Sequence, residues 1–345
     1  LQSCSGKKKR GTVMIKDNIL YHNVAELEKT AFGDKLHRYP IKAENGMNYH
    51  ARWMSRFNCG CELRFVSEAE YIDVTLLAEE GEANVLVLRG DYVCARYQLE
   101  PGKITTLKLT APTIADDNID DEFYKNNRFS KDVWRIYMHN GSFTVCSIDS
   151  YGYSVRPPHK DEMPEKTLLT YGSSITHGAG AMLHYSCYAN QLAVRLKSDV
   201  LIKGLGGSCH CDKTSIDYMT SSDEWDMALL EPAINMVGAF EIDEFEKRVN
   251  YLISEFAKTG KKIFVTTIYP FSKRFMDGEN ENEKSALFDD VLRKTCVGFK
   301  NVYLAEGGEI LTDTEFLSAD GIHPCDYGHF MMAQNWYNKI KDVVK

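Results

Sequence analysis

The spacing of apolar residues changes once along this chain, and the change limits the folds open to it. Up to about residue 150, apolar runs are short, partly alternating, and separated by turn residues. Ile72, Val74 and Leu76 share one face of an extended segment, with Asp73 and Thr75 on the other. Similar runs cover Cys61–Val66, Tyr71–Leu77, Ala83–Arg89, Val93–Leu99, Ile104–Leu109, Val133–Met138 and Phe143–Ser147. Gly90-Asp91 reads as a tight hairpin, Pro101-Gly102 as a turn, and Asn140-Gly141 as the strongest hairpin signal in the chain. This regularity predicts an all-β sandwich, jelly-roll-like, over residues 1–160. The acidic stretch from Ala115 to Lys131 reads as a long loop on that sandwich, near the cleft.

Pro157-Pro158 and the charged residues after them mark a linker, with the boundary near Asp161. Over 161–345 apolar runs alternate with helical stretches. Leu168–Tyr171, Val200–Lys203, Met227–Leu230, Ile263–Ile268 and Val302–Ala305 read as buried strands. Tyr188–Lys197, Glu241–Lys258, Lys284–Val297 and Tyr327–Val343 read as helices. In the second helix Phe245, Val249, Leu252, Ile253 and Phe256 fall on one face, a core stripe. The alternation predicts a parallel sheet covered on both faces, a three-layer α/β unit of flavodoxin-like type. Ligands of such sheets sit at the carboxyl ends of the strands. Ser174, Gly204 and Asn235 each fall just past a predicted strand end.

Composition narrows the function. The 345 residues carry 43% hydrophobic residues and a formal charge of -8, which suits a globular protein and excludes a nucleic-acid footprint. Lys7-Lys8-Lys9-Arg10 reads as a solvated tail. No apolar stretch reaches the roughly 18 residues of a membrane span. Leu1–Val13 reads as a tail, or as residues foreign to a natural start at Met14, which places the protein in the cytoplasm. The alternative takes Leu1-Gln2-Ser3-Cys4 as the end of a lipoprotein signal, with Cys4 lipidated and the protein at the surface or secreted. The ten cysteines are scattered and read as free thiols. Cys209-His210-Cys211 lacks a second ligand pair, and Gly204–Gly207 lacks the lysine of a phosphate loop, so neither metal nor cofactor is expected.

The chemistry is carried by two distant segments. Gly172-Ser173-Ser174-Ile175-Thr176-His177-Gly178 follows a strand, and Asp320-Gly321-Ile322-His323-Pro324 stands near the end. A serine hydroxyl needs a base to become a nucleophile. His323 can be that base, and Asp320 can hold its ring in the required tautomer. His177 and His329 compete for the role, but His177, three residues after Ser174, would flank the cleft rather than face the hydroxyl, and His329 has no carboxylate at a suitable offset. Both read as structural or substrate-lining. Tyr185 reads either as core or as a ring on which a sugar stacks.

These segments resemble the SGNH hydrolases, the superfamily of the GDSL esterases and lipases, over about residues 166–345. Gly172-Ser173-Ser174-Ile175-Thr176 is similar to the Gly-Asp-Ser-Ile-Thr nucleophile segment, with Ser173 in place of Asp. Lys203–Ser208 is similar to the glycine segment, Glu231-Pro232-Ala233-Ile234-Asn235-Met236 to Gly-x-Asn-Asp, and Asp320–Pro324 to the closing Asp-x-x-His. Ala233 and Met236 depart from that pattern. The resemblance implies Ser174 as nucleophile, His323 as base and Asp320 as its partner. It further implies an oxyanion hole of the Ser174 and Gly204 N–H groups and the Asn235 amide.

A β-sandwich ahead of such a domain resembles carbohydrate esterase family two, which implies removal of acetyl groups from sugars. The expected partner is thus an acylated small molecule or oligosaccharide. Two alternatives remain: a carbohydrate-binding protein with an inactive hydrolase domain, and a thioesterase or acyltransferase of the same superfamily.

Overall fold

Two long bent strands organise the amino-terminal part. The structure is a computed structural model that describes residues 14–115, 118–276 and 280–344. The readings of Leu1–Val13, Cys4 and Lys7–Arg10 lie outside the described residues. Strands β1 (Met14–Lys16), β2 (Ile19–His22), β3 (Glu26–Lys29), β4 (Asp34–His37), β5 (Cys61–Val66), β6 (Tyr71–Arg89), β7 (Tyr92–Gln98), β8 (Ile104–Thr110) and β9 (Val133–Asp149) join in one antiparallel hydrogen-bonded sheet. The predicted runs Tyr71–Leu77 and Ala83–Arg89 are halves of β6, and Asn140-Gly141 lies inside β9 rather than in a hairpin.

The pairing explains the difference. Gly81 faces Gly141, Gly81 and Asn140 have φ of +84° and +52°, and the register shifts around them. Irregular residues at one level of both strands bend the ladder without ending it. One half of the bent pair carries β8 and β4, the other β7 and β5. Leu63, Phe65, Val74, Leu76, Val85, Trp134 and Ile136 fill the core between them. Short helices α1 (Ile41–Glu44) and α2 (Tyr49–Met54) follow β4.

The carboxyl-terminal part has the expected α/β form. Strands β10 (Thr167–Gly172), β11 (Asp199–Ile202), β12 (Met227–Glu231), β13 (Lys262–Thr266) and β14 (Val302–Ala305) form a parallel sheet in the order β11-β10-β12-β13-β14. Helices α3 (Ser174–His177), α4 (Tyr188–Leu196), α5 (Lys213–Ser221), α6 (Ile234–Val237), α7 (Ile242–Lys258), α8 (Asn280–Cys296), α9 (Gly307–Ile310) and α10 (Asp326–Ile340) alternate with it. Alternate strand residues serve opposite cores. Leu169, Tyr171 and Leu230 meet Phe245, Val249 and Leu252 of α7, while Leu168, Ile202 and Leu229 meet Leu192 of α4 and Met332 and Trp336 of α10. The chain leaves β10 toward β11 and returns on its other side to β12. That reversal opens a crevice at the carboxyl end of β10. Among the described residues, no helix is long and apolar enough to cross a membrane.

β11 is an edge strand, and its outward carbonyls and those just beyond its end are held by side chains of the amino-terminal part. His22 Nε2 meets Val200 O at 2.8 Å, Asn23 Nδ2 donates to Ile202 O at 3.2 Å, and Tyr39 OH donates to Lys203 O at 2.8 Å. The wholly buried Arg38 donates from Nη1 to Ile202 O at 3.0 Å and Gly204 O at 3.1 Å. Lower on the strand, Arg64 holds Asp199 with two bonds of 2.5 and 2.9 Å, while Glu62 bonds both Arg64 and Arg135. The edge is thus closed by side chains instead of by another strand.

Candidate active site

Each functional segment begins where a strand of the parallel sheet ends. β10 gives way at Ser173, whose hydroxyl caps α3 by accepting from Ile175 N at 3.2 Å. Ser174 is the first residue of α3 and is half-buried. Its Oγ lies 2.7 Å from His323 Nε2. His323 Nδ1 lies 2.6 Å from Asp320 Oδ2. An Nδ1–H directed at the carboxylate leaves Nε2 free to accept from the serine hydroxyl.

The loop carrying His323 is pinned at several points. Ser318 N donates to His323 O at 2.7 Å, Cys325 N to Phe316 O at 2.8 Å, and Ser272 N to Gly321 O at 2.7 Å. Gly180, at φ +92°, lets the loop close in, since a Cβ there would stand 2.0 Å from Pro324 O. Asp320 is half exposed. Burial opposes its ionisation, but bonds from His323 Nδ1 and from the His323 and Ile322 N–H groups outweigh it and hold the carboxyl below its usual range.

The glycine segment differs from expectation. Lys203 N and Leu205 N both donate to β10, at Thr170 O and Gly172 O, each at 2.8 Å. The intervening Gly204 N–H is therefore directed away from β10 and Ser174. A Cβ on Gly204 would stand 2.3 Å from His177 N, so its glycine serves close packing on α3. The glycine beside Ser174 is Gly206, where a Cβ would lie 3.8 Å from Ser174 Cβ and 3.1 Å from Met54 Cε of α2. Asn235, on α6 beyond β12, accepts from Cys209 N at 3.1 Å through Oδ1, which turns its Nδ2 outward as a donor.

The other predicted lining residues lie elsewhere. His177 is buried, with Nδ1 bonded to Gly204 O at 3.2 Å and Nε2 to Cys59 Sγ at 2.8 Å. Burial, reinforced by Arg38, keeps this ring neutral and structural. Tyr185 contacts Arg128 at 3.1 Å through its hydroxyl and packs edge-on against Tyr137 at 5.2 Å. Arg128 also holds Ser198 O, at the amino end of β11, so Arg128 and the Tyr185 hydroxyl sit toward the end of the sheet opposite Ser174. His329 is buried against Tyr188 and bonds Ala179 O at 3.0 Å; burial pushes it down to about 4. Cys209 and Cys211 are core residues and His210 packs on Phe240; among the described residues no cluster could hold a metal.

Several residues near Ser174 fall outside the predicted site residues. Beside Gly206 and Gly207, α2 presents the exposed Tyr49, His50 and Trp53, with His50 Cε1 3.6 Å from a Cβ on Gly207 and the His50 and Trp53 rings 5.4 Å apart. Glu231, the last residue of β12, reaches under the nucleophile turn. Its place at the end of the apolar run Met227–Leu230 and the replacement of the motif's acid by Ser173 were the available signals.

Residues 165–341 match the model of the GDSL-like Lipase/Acylhydrolase family. No curated protein matches the sequence. Among solved structures, a salicylyl-acyltransferase, SsfX3, from a tetracycline biosynthetic pathway is similar, with a TM-score of 0.75, 14% identity and 95% of each chain covered. A putative GDSL-like lipase from Bacteroides ovatus gives a TM-score of 0.65 at 16% identity, covering 94% of this chain and 97% of that one. A family two carbohydrate esterase from Clostridium thermocellum, in complex with cellohexaose, gives 0.61 at 14% identity, covering 94% and 99%. At these identities the likeness is one of fold, and it spans both parts of the chain.

Proposed function

Since this chain belongs to the GDSL-like lipase/acylhydrolase family, we propose that it is a serine esterase removing short acyl groups, acetyl first among them, from carbohydrate. One observation carries the reading: the unbroken chain from Asp320 through His323 to Ser174 Oγ, with contacts of 2.6 and 2.7 Å. In this account His323 Nε2 takes the Ser174 proton as Oγ attacks the acyl carbonyl. Asp320 stabilises the imidazolium so formed. The oxyanion is met by the Ser174 N–H, the Asn235 Nδ2 and, in place of Gly204, the Gly206 N–H. The intermediate collapses, the sugar oxygen leaves with the proton from His323, and an acyl-Ser174 remains. Water then repeats the sequence, releasing the acid and restoring the serine.

Two features support a short acyl group on a sugar. Met54 stands over Gly206 and limits the room beside the nucleophile. His50, Trp53 and Tyr49 offer polar-edged rings next to the same turn, a surface suited to a pyranose. We place the boundary between the two units near Asp161. On this reading, the amino-terminal unit helps to build the site through Arg38 and α2.

The test is a substrate series. Acetylated cello- and xylo-oligosaccharides are expected to turn over faster than 4-nitrophenyl esters of eight or more carbons. Preference for the long chains would overturn the proposal. The similar acyltransferase fold favours one second reading, in which another alcohol replaces water. A transferred ester formed at the expense of free acetate, on adding sugar acceptors, would select it.

A further inference from the structure

Glu231 is wholly buried at the end of β12, and its Oε2 gathers three donors from the nucleophile segment. Ser173 N lies at 2.8 Å, Ser173 Oγ at 2.6 Å and Thr176 Oγ1 at 3.1 Å. The Ser173 hydroxyl therefore gives its proton to Glu231 and keeps a lone pair for Ile175 N, which fixes the cap of α3. Thr176 Oγ1 is held on its other side by Tyr188 OH at 2.8 Å. Gly172 allows this approach, because a Cβ there would stand 2.6 Å from Glu231 Oε2 and 2.4 Å from Thr176 Oγ1.

The titratable groups that face Glu231 are Tyr188 of α4, Tyr269 beyond β13 and Cys209 beyond β11, and burial keeps all three protonated. A carboxyl among neutral groups is costly to bury unless it is needed there. The matching motif has an acid at the position of Ser173, within the turn. Here the turn has a hydroxyl, and the acid arrives from the neighbouring strand.

We propose that Glu231 is the positioning residue of the nucleophile turn, supplying from β12 the carboxyl group that Ser173 does not. It acts on the reaction through Ser173 and Thr176, which flank Ser174 on α3. It does not touch the reacting atoms. The role rests on the serine-esterase reading above, and the test separates the two.

The experiment moves the acid between the two positions and reads kcat and KM for 4-nitrophenyl acetate. A wild type without turnover overturns the esterase reading, and this role with it. Glu231→Ala is expected to lower kcat about 100-fold with KM within about twofold, the scale of an ångström-sized displacement of a reacting group. Glu231→Gln, which keeps an acceptor oxygen, is expected to lose only about tenfold. The exchange variant Ser173→Asp with Glu231→Ala is expected to recover at least about tenfold over Glu231→Ala. Unchanged kcat in Glu231→Ala, or a folded exchange variant no faster than it, overturns the proposal. If circular dichroism shows Glu231→Ala unfolded, Glu231→Gln and Ser173→Asp with Glu231→Gln replace that pair, under the same criterion.

Discussion

The two carboxyl groups nearest Ser174 stand in opposite surroundings. Asp320 lies on a loop, half exposed, and three bonds to one oxygen or the other of its carboxylate come from His323 and Ile322. Glu231 lies at the bottom of the crevice, enclosed by hydroxyls and apolar walls, and burial pushes it up to about 7 against the bonds from Ser173 and Thr176. One group is held ionised next to His323, and burial drives the other toward its neutral form beneath the turn. A site with its acids separated in this way can assign one to electrostatics and the other to geometry.

The largest effect comes from removing the groups that Asp320 serves. Ser174→Ala and His323→Ala are each expected to reduce 4-nitrophenyl acetate hydrolysis by about 10⁴-fold or more, with unaltered circular dichroism. Retained wild-type turnover in either variant would break the comparison at its root. Asp320→Asn is expected to cost roughly tenfold or more less than His323→Ala, because the base itself is kept and only the group that orients it is lost. A loss equal to that of His323→Ala would make Asp320 as indispensable as the base.

A smaller effect is expected on the far side of the glycine segment. Arg38→Met removes the guanidinium that holds Ile202 O and Gly204 O, and is expected to lower kcat about tenfold with a fall of several degrees in Tm. Unchanged kcat would show that the edge of β11 is only a structural joint.

The smallest effect concerns proton linkage, where the two acids have opposite signs. Glu231 is raised from 4.5 to about 7, so across that interval the unfolded chain has lost a proton that the folded chain keeps. Its contribution is therefore present below about pH 4.5 and is lost as pH rises toward 7. Asp320, held low, contributes above its ordinary value of 3.8 and loses that contribution as pH falls further. Solvent screens the exposed Asp320, so Glu231 dominates. Melts of wild type and Glu231→Gln are expected to diverge by a few degrees between about pH 5 and 7, with wild type declining. A constant difference across that range would contradict the buried, proton-holding carboxyl.

Legibility in the sequence followed the same division between exposed and enclosed. The parallel sheet was readable because β10, β12 and β13 are short, mostly apolar runs, and α7 carries a clean stripe from Phe245 to Phe256. The meeting of Ser174, His323 and Asp320 was foreseeable from a strand-end turn and a carboxylate three residues before a histidine. The bent sheet was not, because an Asn-Gly pair supplies a positive φ equally to a hairpin and to a bulge, and only the facing Gly81 decides between them. β1 to β4 are three or four residues long, too short for a period. Gly204 and Gly206 differ by two residues in a run of glycines, so only the ladder to β10 tells them apart. Arg38, Met54 and Glu231 act across the fold from segments distant in sequence, and no spacing rule reaches them.

Fluorophosphonate labelling followed by peptide mapping addresses the assignment of the nucleophile most directly. One phosphonyl adduct per chain on Ser174, none on Ser173, and lost labelling in His323→Ala are the expected results. An adduct on Ser173 or any other side chain, or labelling undiminished without His323, would contradict it.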